Sequence, residues 1–313
     1  EKSEEEVVNE WIRFGVRLGI SSALHPFEYA KILIQIGYEP IAPRAGKTLF
    51  GHSVLILPNI FQYAGYIRRV DGFSGCFRGL MPKLVGNIVS SHFSENIADR
   101  LGLAVAIENK QQSNSEPSDE EQYESFKKQL RRDIVVRSTG ILISQPFHVI
   151  SIRMMAQFVG RETNYTSLFG SIVEVYRQDG IFGFFSGFIP RLLCDLSCLV
   201  VASTATYLIN RHIVHDPAAK MYTSSFAQFI CGSIVYPLHV VSTCMIVSGS
   251  GLKAGRLPQM PLYNDWRECY RMLKANGEHK RGSSLFWRYI RPKNQSIKSG
   301  MAPYPELTKP KAW

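Results

Sequence analysis

The sequence predicts an all-α membrane protein: a three-repeat bundle with five transmembrane helices, a sixth helix absent, and short amphipathic surface helices. A proline-led motif recurs in fixed order about every 100 residues, which marks a tandem-repeat architecture. Charge is segregated along the chain, so that Phe226 to Ser248 holds no Asp, Glu, Lys or Arg over 23 residues. Such a stretch is long enough to cross a hydrocarbon core of about 30 Å. Shorter segments between the apolar ones carry one apolar face at helical spacing.

The first repeat reads Pro26-Phe27-Glu28-Tyr29-Ala30-Lys31, then Asp71-Gly72-Phe73-Ser74-Gly75-Cys76-Phe77-Arg78-Gly79. The second reads Pro146-Phe147-His148-Val149-Ile150-Ser151, then Asp179-Gly180-Ile181-Phe182-Gly183-Phe184-Phe185-Ser186-Gly187. The third offers Pro237-Leu238-His239-Val240-Val241-Ser242 and then only Asn276-Gly277. The charges that follow the proline survive in the first repeat alone.

Five segments have membrane length: about Trp11–Gly37, Pro82–Ile107, Asp133–Val159, Phe188–Ile213 and Ser224–Ser250. Pro26, Pro146 and Pro237 kink three of them, which neighbouring helices absorb in a membrane bundle. Pro82 and Pro190, each followed by a basic residue, open the other two, where a first-turn proline costs little. Tyr165–Asp179 and Tyr263–Asn276 fit helices lying along the interface, each stopped by a glycine. Gly15 and Gly19, with Gly183 and Gly187, suit close helix packing. The polar, acidic run from Glu108 to Glu124 reads as a solvated loop. The expected organisation is one domain over 1–290, with repeats at about 11–107, 133–213 and 224–290 and an acidic flexible loop at 108–132. A polar tail rich in Pro and Lys follows at 291–313, with no apolar window of membrane length.

Composition narrows the function classes. The net charge of +10 suits loops facing anionic headgroups. No nucleic-acid motif accompanies it, so no nucleic-acid partner is expected. Cysteines 76, 194, 198, 231, 244 and 269 form no C-x-x-C pair, which argues against a zinc site or a disulfide framework. No H-E-x-x-H, Ser-His-acid arrangement or phosphate loop is present, so neither an enzyme nor a metal or cofactor site is expected. The acidic start, Glu1 to Glu6, matches neither a mitochondrial transit peptide nor a secretory signal. The chain does not begin with Met, which leaves an upstream segment open.

The spacing P-x-[DE]-x-x-[KR] followed by [DE]-G and an aromatic-[KR]-G resembles the mitochondrial carrier family. The matching positions are Pro26, Glu28, Lys31, Asp71, Gly72, Phe77, Arg78 and Gly79, then Pro146, Asp179, Gly180 and Gly187, then Pro237. The runs Ser144 to Ile150, Gln157 to Glu162 and Arg281 to Phe286 resemble the outer-membrane branch, the mitochondrial carrier homologues. That resemblance implies a multi-pass protein of the mitochondrial outer membrane that inserts tail-anchored and other α-helical proteins. It also implies lipid scrambling and docking of a truncated pro-apoptotic protein. In the carriers, the motif acid and base of each repeat pair with their neighbours to close a gate. Here His148, Ser151, His239 and Ser242 replace them, so Glu28 and Lys31 are expected to stand without gate partners, and solute exchange is disfavoured. Arg153 lies two residues past the expected base and should face elsewhere.

Loss of the sixth helix is expected to open the old cavity sideways to lipid. Ionisable groups at membrane depth are costly and usually face a cavity or a partner. Lys31, Arg137, Arg191 and Asp195 are the candidates for a groove, with Tyr236, His148 and His239 as polar lining. Internal pairing of Asp195 with Lys31 or Arg191 is the competing structural reading. A docking platform without insertion activity is the competing function.

Overall fold

A computed structural model describes residues 4–47, 51–102, 119–214 and 216–290. Five long helices form the bundle: α1 (Glu4–Gln35), α3 (Leu80–Arg100), α4 (Asp119–Ala156), α6 (Phe188–His212) and α7 (Pro217–Val247). Of the shorter α-helices among the described residues, α2 (Ile60–Gly75) and α5 (Leu168–Asp179) sit between long helices and α8 (Trp266–Ala275) follows α7. Two stretches, Ile181–His212 and Tyr222–Val247, are long and apolar enough to cross a membrane on their own, each with mean hydropathy 1.8. The other three long helices have the length, from 21 residues in α3 to 38 in α4, but carry more charge.

The local chemistry of each repeat explains its elements. α1, α4 and α7 run through Pro26, Pro146 and Pro237 without breaking. Each short helix starts on a side chain that caps its first turn: Asn59 accepts from Gln62 N, Ser167 from Gly170 N, and Asp265 from Glu268 N. Asn59 and Gln62 complete a reciprocal capping box. Gly72 (φ 76°), Gly180 (φ 65°) and Gly277 (φ 73°) then turn the chain in a left-handed conformation that a side chain would resist. α3 and α6 each begin directly after another left-handed glycine, Gly79 or Gly187.

The main core lies at the kinked end of the bundle. Tyr29 and Leu33 of α1, Ile150 and Met155 of α4, and Val241 and Ile246 of α7 are buried there against the short helices. Phe158 sits at its centre, edge-on to Tyr29, Tyr38 and Tyr66 with ring centroids 6.1 to 6.2 Å apart. Along the bundle, α3 packs on α4 and α6 packs on α7.

Several expectations are corrected. Residues 119–132 are the first turns of α4, not loop, so this helix starts fourteen residues before Asp133. Asp119, Glu120 and Glu121 stand at its N-terminus, where the helix dipole favours acids. Arg211 pairs with Asp119 (2.9 Å), and Phe126 stacks on Tyr207 at 4.5 Å, which holds the extension against α6. The rest of the expected loop, 108–118, lies outside the described residues, as does the tail 291–313. α3 stops at Arg100 with a turn at Leu101–Gly102, short of the expected Ile107. Among the described residues nothing packs on Gly15 or Gly19: a Cβ on either would meet no atom within 4 Å. Gly183 and Gly187 are the close contacts of that set: a Cβ would lie 2.6 Å from Asp179 Cβ at the first and 2.5 Å from Ser242 O at the second.

A small sheet was not anticipated. β1 (Arg44–Lys47) pairs antiparallel with β2 (Ser53–Ile56), and β2 with β3 (Tyr289–Ile290). It carries the segment after α8 back to the first repeat. Leu57 N donates to Arg288 O and Ile60 N to Leu285 O, both at 2.9 Å. Buried Arg288 pairs with Glu39 and donates to Pro58 O (2.9 Å). Burial raises the Glu39 carboxyl above its usual range, and the Arg288 charge opposes that shift. Among the described residues, no helix follows α8.

Candidate functional site: a polar groove with a sealed floor

The floor repeats one arrangement three times. The residue before each proline reaches the carbonyl that precedes a left-handed glycine. His25 Nε2 donates to Arg78 O (3.0 Å), Gln145 Nε2 to Ser186 O (2.8 Å), and Tyr236 OH to Arg281 O (2.8 Å). The glycines are Gly79, Gly187 and Gly282, with φ of 84°, 67° and 72°. Each abuts the next repeat nine positions after its proline: Gly79 faces Met155, Gly187 faces Ile246, and Gly282 faces Gln35. The third repeat therefore closes on the first. Its motif does not end at Asn276-Gly277 but continues at Arg281-Gly282, two residues shorter than in the other repeats.

The positions left by the lost gate charges strengthen this floor. Ser151 Oγ donates to Gly79 O and Ser242 Oγ to Gly187 O, both at 2.8 Å. The equivalent Lys31 makes no such bond; its Nζ stands 5.3 Å from the centre of the Tyr236 ring. Beside it Gln35 donates to Tyr236 OH (3.0 Å) and accepts from Thr243 Oγ1 (3.1 Å).

Glu28 is not partnerless. It forms an ion pair with Lys83 of α3, and His25 Nδ1 lies 3.9 Å away. Lys83 follows Pro82 as Arg191 follows Pro190. Arg191 makes the corresponding contact in the second repeat, donating to Gln145 Oε1 (2.8 Å) and Ser144 Oγ (3.3 Å) where no acid remains. The motif aspartates are also tied down. Asp71 pairs with Arg78 (2.9 Å) and Arg161 (3.3 Å), and Asp179 with Arg153 (2.6 Å). Arg153 does face away from the groove, fully buried, and also donates to Ile246 O (3.1 Å).

Above the floor the candidate groove residues separate into two kinds. Lys31, Arg191 and Tyr236 have the contacts just given, and His239 stacks edge-on to Tyr236 at 6.2 Å. His148 is half-buried and within electrostatic range of Arg191 and His239. Arg137 is exposed and Asp195 half-buried, and neither takes part in an ion pair among the described residues. Asp195 attracts Arg191 from a distance, and the alternative reading, a close pair of Asp195 with Arg191 or Lys31, is not formed among the described residues.

Helical spacing carries this polar face further than the sequence reading followed it. On α4, Arg137 continues through Asp133, Gln129, Phe126 and Gln122; on α6, Asp195 continues through Ser203, Thr206 and Asn210. Asp133, Gln129, Phe126, Gln122, Ser203, Thr206 and Asn210, but not Arg137 or Asp195, line a cavity of about 290 Å³ with Lys220 and Ser224 at the end remote from the floor. Asn210 Oδ1 is buried there without a hydrogen-bond partner among the described residues.

One flank of the groove is uncovered. α1 meets α7 through Gln35, Thr243 and Cys244 near the floor. Farther up, Ile12, Val16, Ile20 and Leu24 are 55 to 57% exposed on α1, and Tyr222, Phe226, Phe229 and Ile234 are 63 to 72% exposed on α7. Among the described residues neither row is covered by another element.

The chain is 36% identical to mitochondrial carrier homolog 2 of Bos taurus over 277 residues, covering 87% of this chain and 91% of that protein. It belongs to the mitochondrial carrier homologue family. Mitochondrial carrier homolog 2 of Mus musculus is 37% identical over 280 residues with the same coverage. Mitochondrial carrier homolog 1 of Mus musculus is 33% identical, covering 87% of this chain and 75% of that protein. A family model described as mitochondrial carrier protein matches residues 134–217, the second repeat. Within this homologue family member the second repeat keeps both its helices and its floor contacts, whereas the third repeat has departed most from the carrier pattern.

The chain is thus a mitochondrial membrane protein of carrier descent. Of the residues missed by sequence reasoning, Lys83 had a signal in the Pro-basic pair that it shares with Pro190-Arg191, and Gly282 had one in the Arg-Gly dipeptide. Asn210, Lys220 and the rest of the rim had none that periodicity alone could raise above a surface helix.

Proposed function

We infer that this homologue inserts tail-anchored and other α-helical proteins into the mitochondrial outer membrane, as a multi-pass protein with a laterally open groove. What supports this reading is the run of polar residues on α4 and α6 that leads at helical spacing from Arg137 and Asp195 to the cavity at Asn210 and Lys220, together with the exposed apolar rows on α1 and α7. A tail anchor is about 20 apolar residues with a short polar end. A charged group at the bilayer centre costs about 2.5–3.5 kcal/mol or more, so the polar end sets the barrier. A polar wall open to lipid solvates that end while the apolar helix remains in hydrocarbon. No bond is made or broken, and the reading needs neither enzyme chemistry nor a cofactor.

The same open polar face gives phospholipid headgroups a path, which supports lipid scrambling as a second activity of the groove. Solute exchange is poorly supported, because the motif charges hold the floor together and leave no ring of ion pairs to open.

Purified protein in liposomes is expected to convert a tail-anchored client to a protease-protected form faster than lipid alone, and to exchange neither carboxylates nor nucleotides. Saturable solute exchange would restore a carrier function. Client or pro-apoptotic protein binding without protection would make the protein a docking receptor.

A further inference from the structure

We propose that Phe286 and Trp287 form an interfacial anchor, a loop that inserts into the phospholipid leaflet at the floor end of the bundle. The proposal concerns how the third repeat is held in the membrane and does not depend on the insertase reading.

The repeat pattern sets the depth of this loop. After Gly79 and Gly187 the chain becomes membrane helix at once, α3 from Leu80 and α6 from Phe188. Gly282 is the third glycine of that series, and after it the chain runs Ser283-Ser284-Leu285-Phe286-Trp287 without forming a helix. Counted from the glycines, Leu285 stands at the place of Pro82 and Pro190, and Phe286 at that of Lys83 and Arg191. Trp287 stands at that of Leu84 and Leu192. The loop therefore lies at the level where the other two repeats enter the membrane.

Its backbone is held from both sides while its rings project. Ser284 Oγ donates to Trp287 O (2.8 Å), which closes the turn. The backbone bonds of Leu285 to Ile60 and of Arg288 to Leu57, with buried Arg288 paired to Glu39, fix the loop on the first repeat. Leu285 packs on the core, whereas Phe286 is 61% and Trp287 82% exposed. Phe286 extends a row of rings: its centroid is 5.9 Å from that of Phe61, which lies 5.3 Å from Phe27 of α1. Phe61 is itself 58% exposed.

The chemistry of the patch fits lipid as its partner. Contiguous exposed apolar surface marks a binding or membrane-contact site. Tryptophan joins a large apolar body to one N–H donor, so it is favoured at the headgroup level, where both needs are met. Residues 283–290 hold no acid, and the adjoining strand β1 carries Arg44 and Lys47, which suits anionic headgroups. Among the described residues this repeat has one long helix where the others have two. An aromatic loop gives it a second attachment from one leaflet alone.

The test uses full-length protein in liposomes of phosphatidylcholine and phosphatidylinositol. In two matched sets the phosphatidylcholine is brominated near the headgroup end of its acyl chains or near their tips. Tryptophan fluorescence of the unsubstituted protein minus that of Trp287→Phe isolates Trp287 from Trp11, Trp266 and Trp313. The isolated signal is expected to be lost in the first lipid, largely kept in the second, and insensitive to iodide in the water. Quenching by iodide and not by bromine overturns the anchor and places the ring in water. Shielding from both quenchers also overturns it, and means that residues 291–313 or a second copy cover the patch. Stronger quenching from the chain tips overturns it as well, since the ring would then lie below the interface. A fluorescent amino acid in place of Trp287 reads the same quenchers without subtraction and decides the outcome if the Phe variant misfolds.

Discussion

Lys31→Glu is expected to slow insertion of clients with acidic polar ends on the order of tenfold or more, with little change in the amount of folded protein. Lys31 contributes a cation–π contact to Tyr236, worth about 0.5–1 kcal/mol at a partly exposed site. That is small beside the stability of the bundle. Reversing the charge changes its interaction with a charged client end by two unit charges, a few kcal/mol at about 8 Å and an effective dielectric near 20. The electrostatic effect on the client therefore exceeds the effect on the fold. Lys31→Gln removes the charge without placing a second acid near Glu28, and its rate should fall between the other two. Asp195→Arg, beside Arg191 and Arg137, should act in the opposite sense and favour acidic ends. Rates measured in liposomes at matched folded protein check all three. Unchanged rates would remove these side chains from the path.

Gly187→Val is expected to destabilise the fold severely. Gly187 has φ +67°, and a Cβ there would lie 2.5 Å from Ser242 O and 2.9 Å from Ile246 Cγ1. The left-handed backbone costs a side chain about 1–2 kcal/mol. Overpacking against a fixed carbonyl adds about 1–3 kcal/mol. Together these are a large share of the roughly 5–15 kcal/mol that holds a typical fold. Gly282→Val should cost less, since its nearest contact is the Tyr236 hydroxyl at 3.0 Å, a side chain able to shift. Gly15→Val, with nothing within 4 Å, should leave Tm unchanged in detergent. Equal Tm for Gly187→Val and Gly15→Val would contradict the sealed floor.

The features legible in the sequence were those set by local chemistry. The three kinking prolines, the glycine stops and the two later surface helices follow from residue type and spacing, and the structure places them accordingly. What was hidden depended on tertiary partners. Residues 119–132 are polar enough to read as loop, and become helix because Asp119 and Phe126 find Arg211 and Tyr207 on α6. Glu28 looked unpartnered because its partner was sought among the motif positions of the other repeats, whereas Lys83 comes from α3 of its own repeat. The third glycine junction was obscured by a two-residue shortening that shifts Gly282 out of motif register. Gly15 and Gly19 carried a packing signal, but a Cβ on either would meet nothing within 4 Å among the described residues. Lys31, Arg137, Arg191 and Asp195 stood out as candidates from depth alone, because an ionisable group in an apolar segment is rare.

The insertion rate as a function of charge in the client's polar end tests the groove most directly. Each charge added to that end should slow spontaneous insertion into protein-free liposomes on the order of 50-fold or more. With the protein present, the rate should fall much less steeply, and the remaining slope should change with Lys31→Glu according to the sign of the added charge. Parallel slopes with and without the protein would contradict the account, since a wall that does not solvate the polar end cannot be how the client crosses.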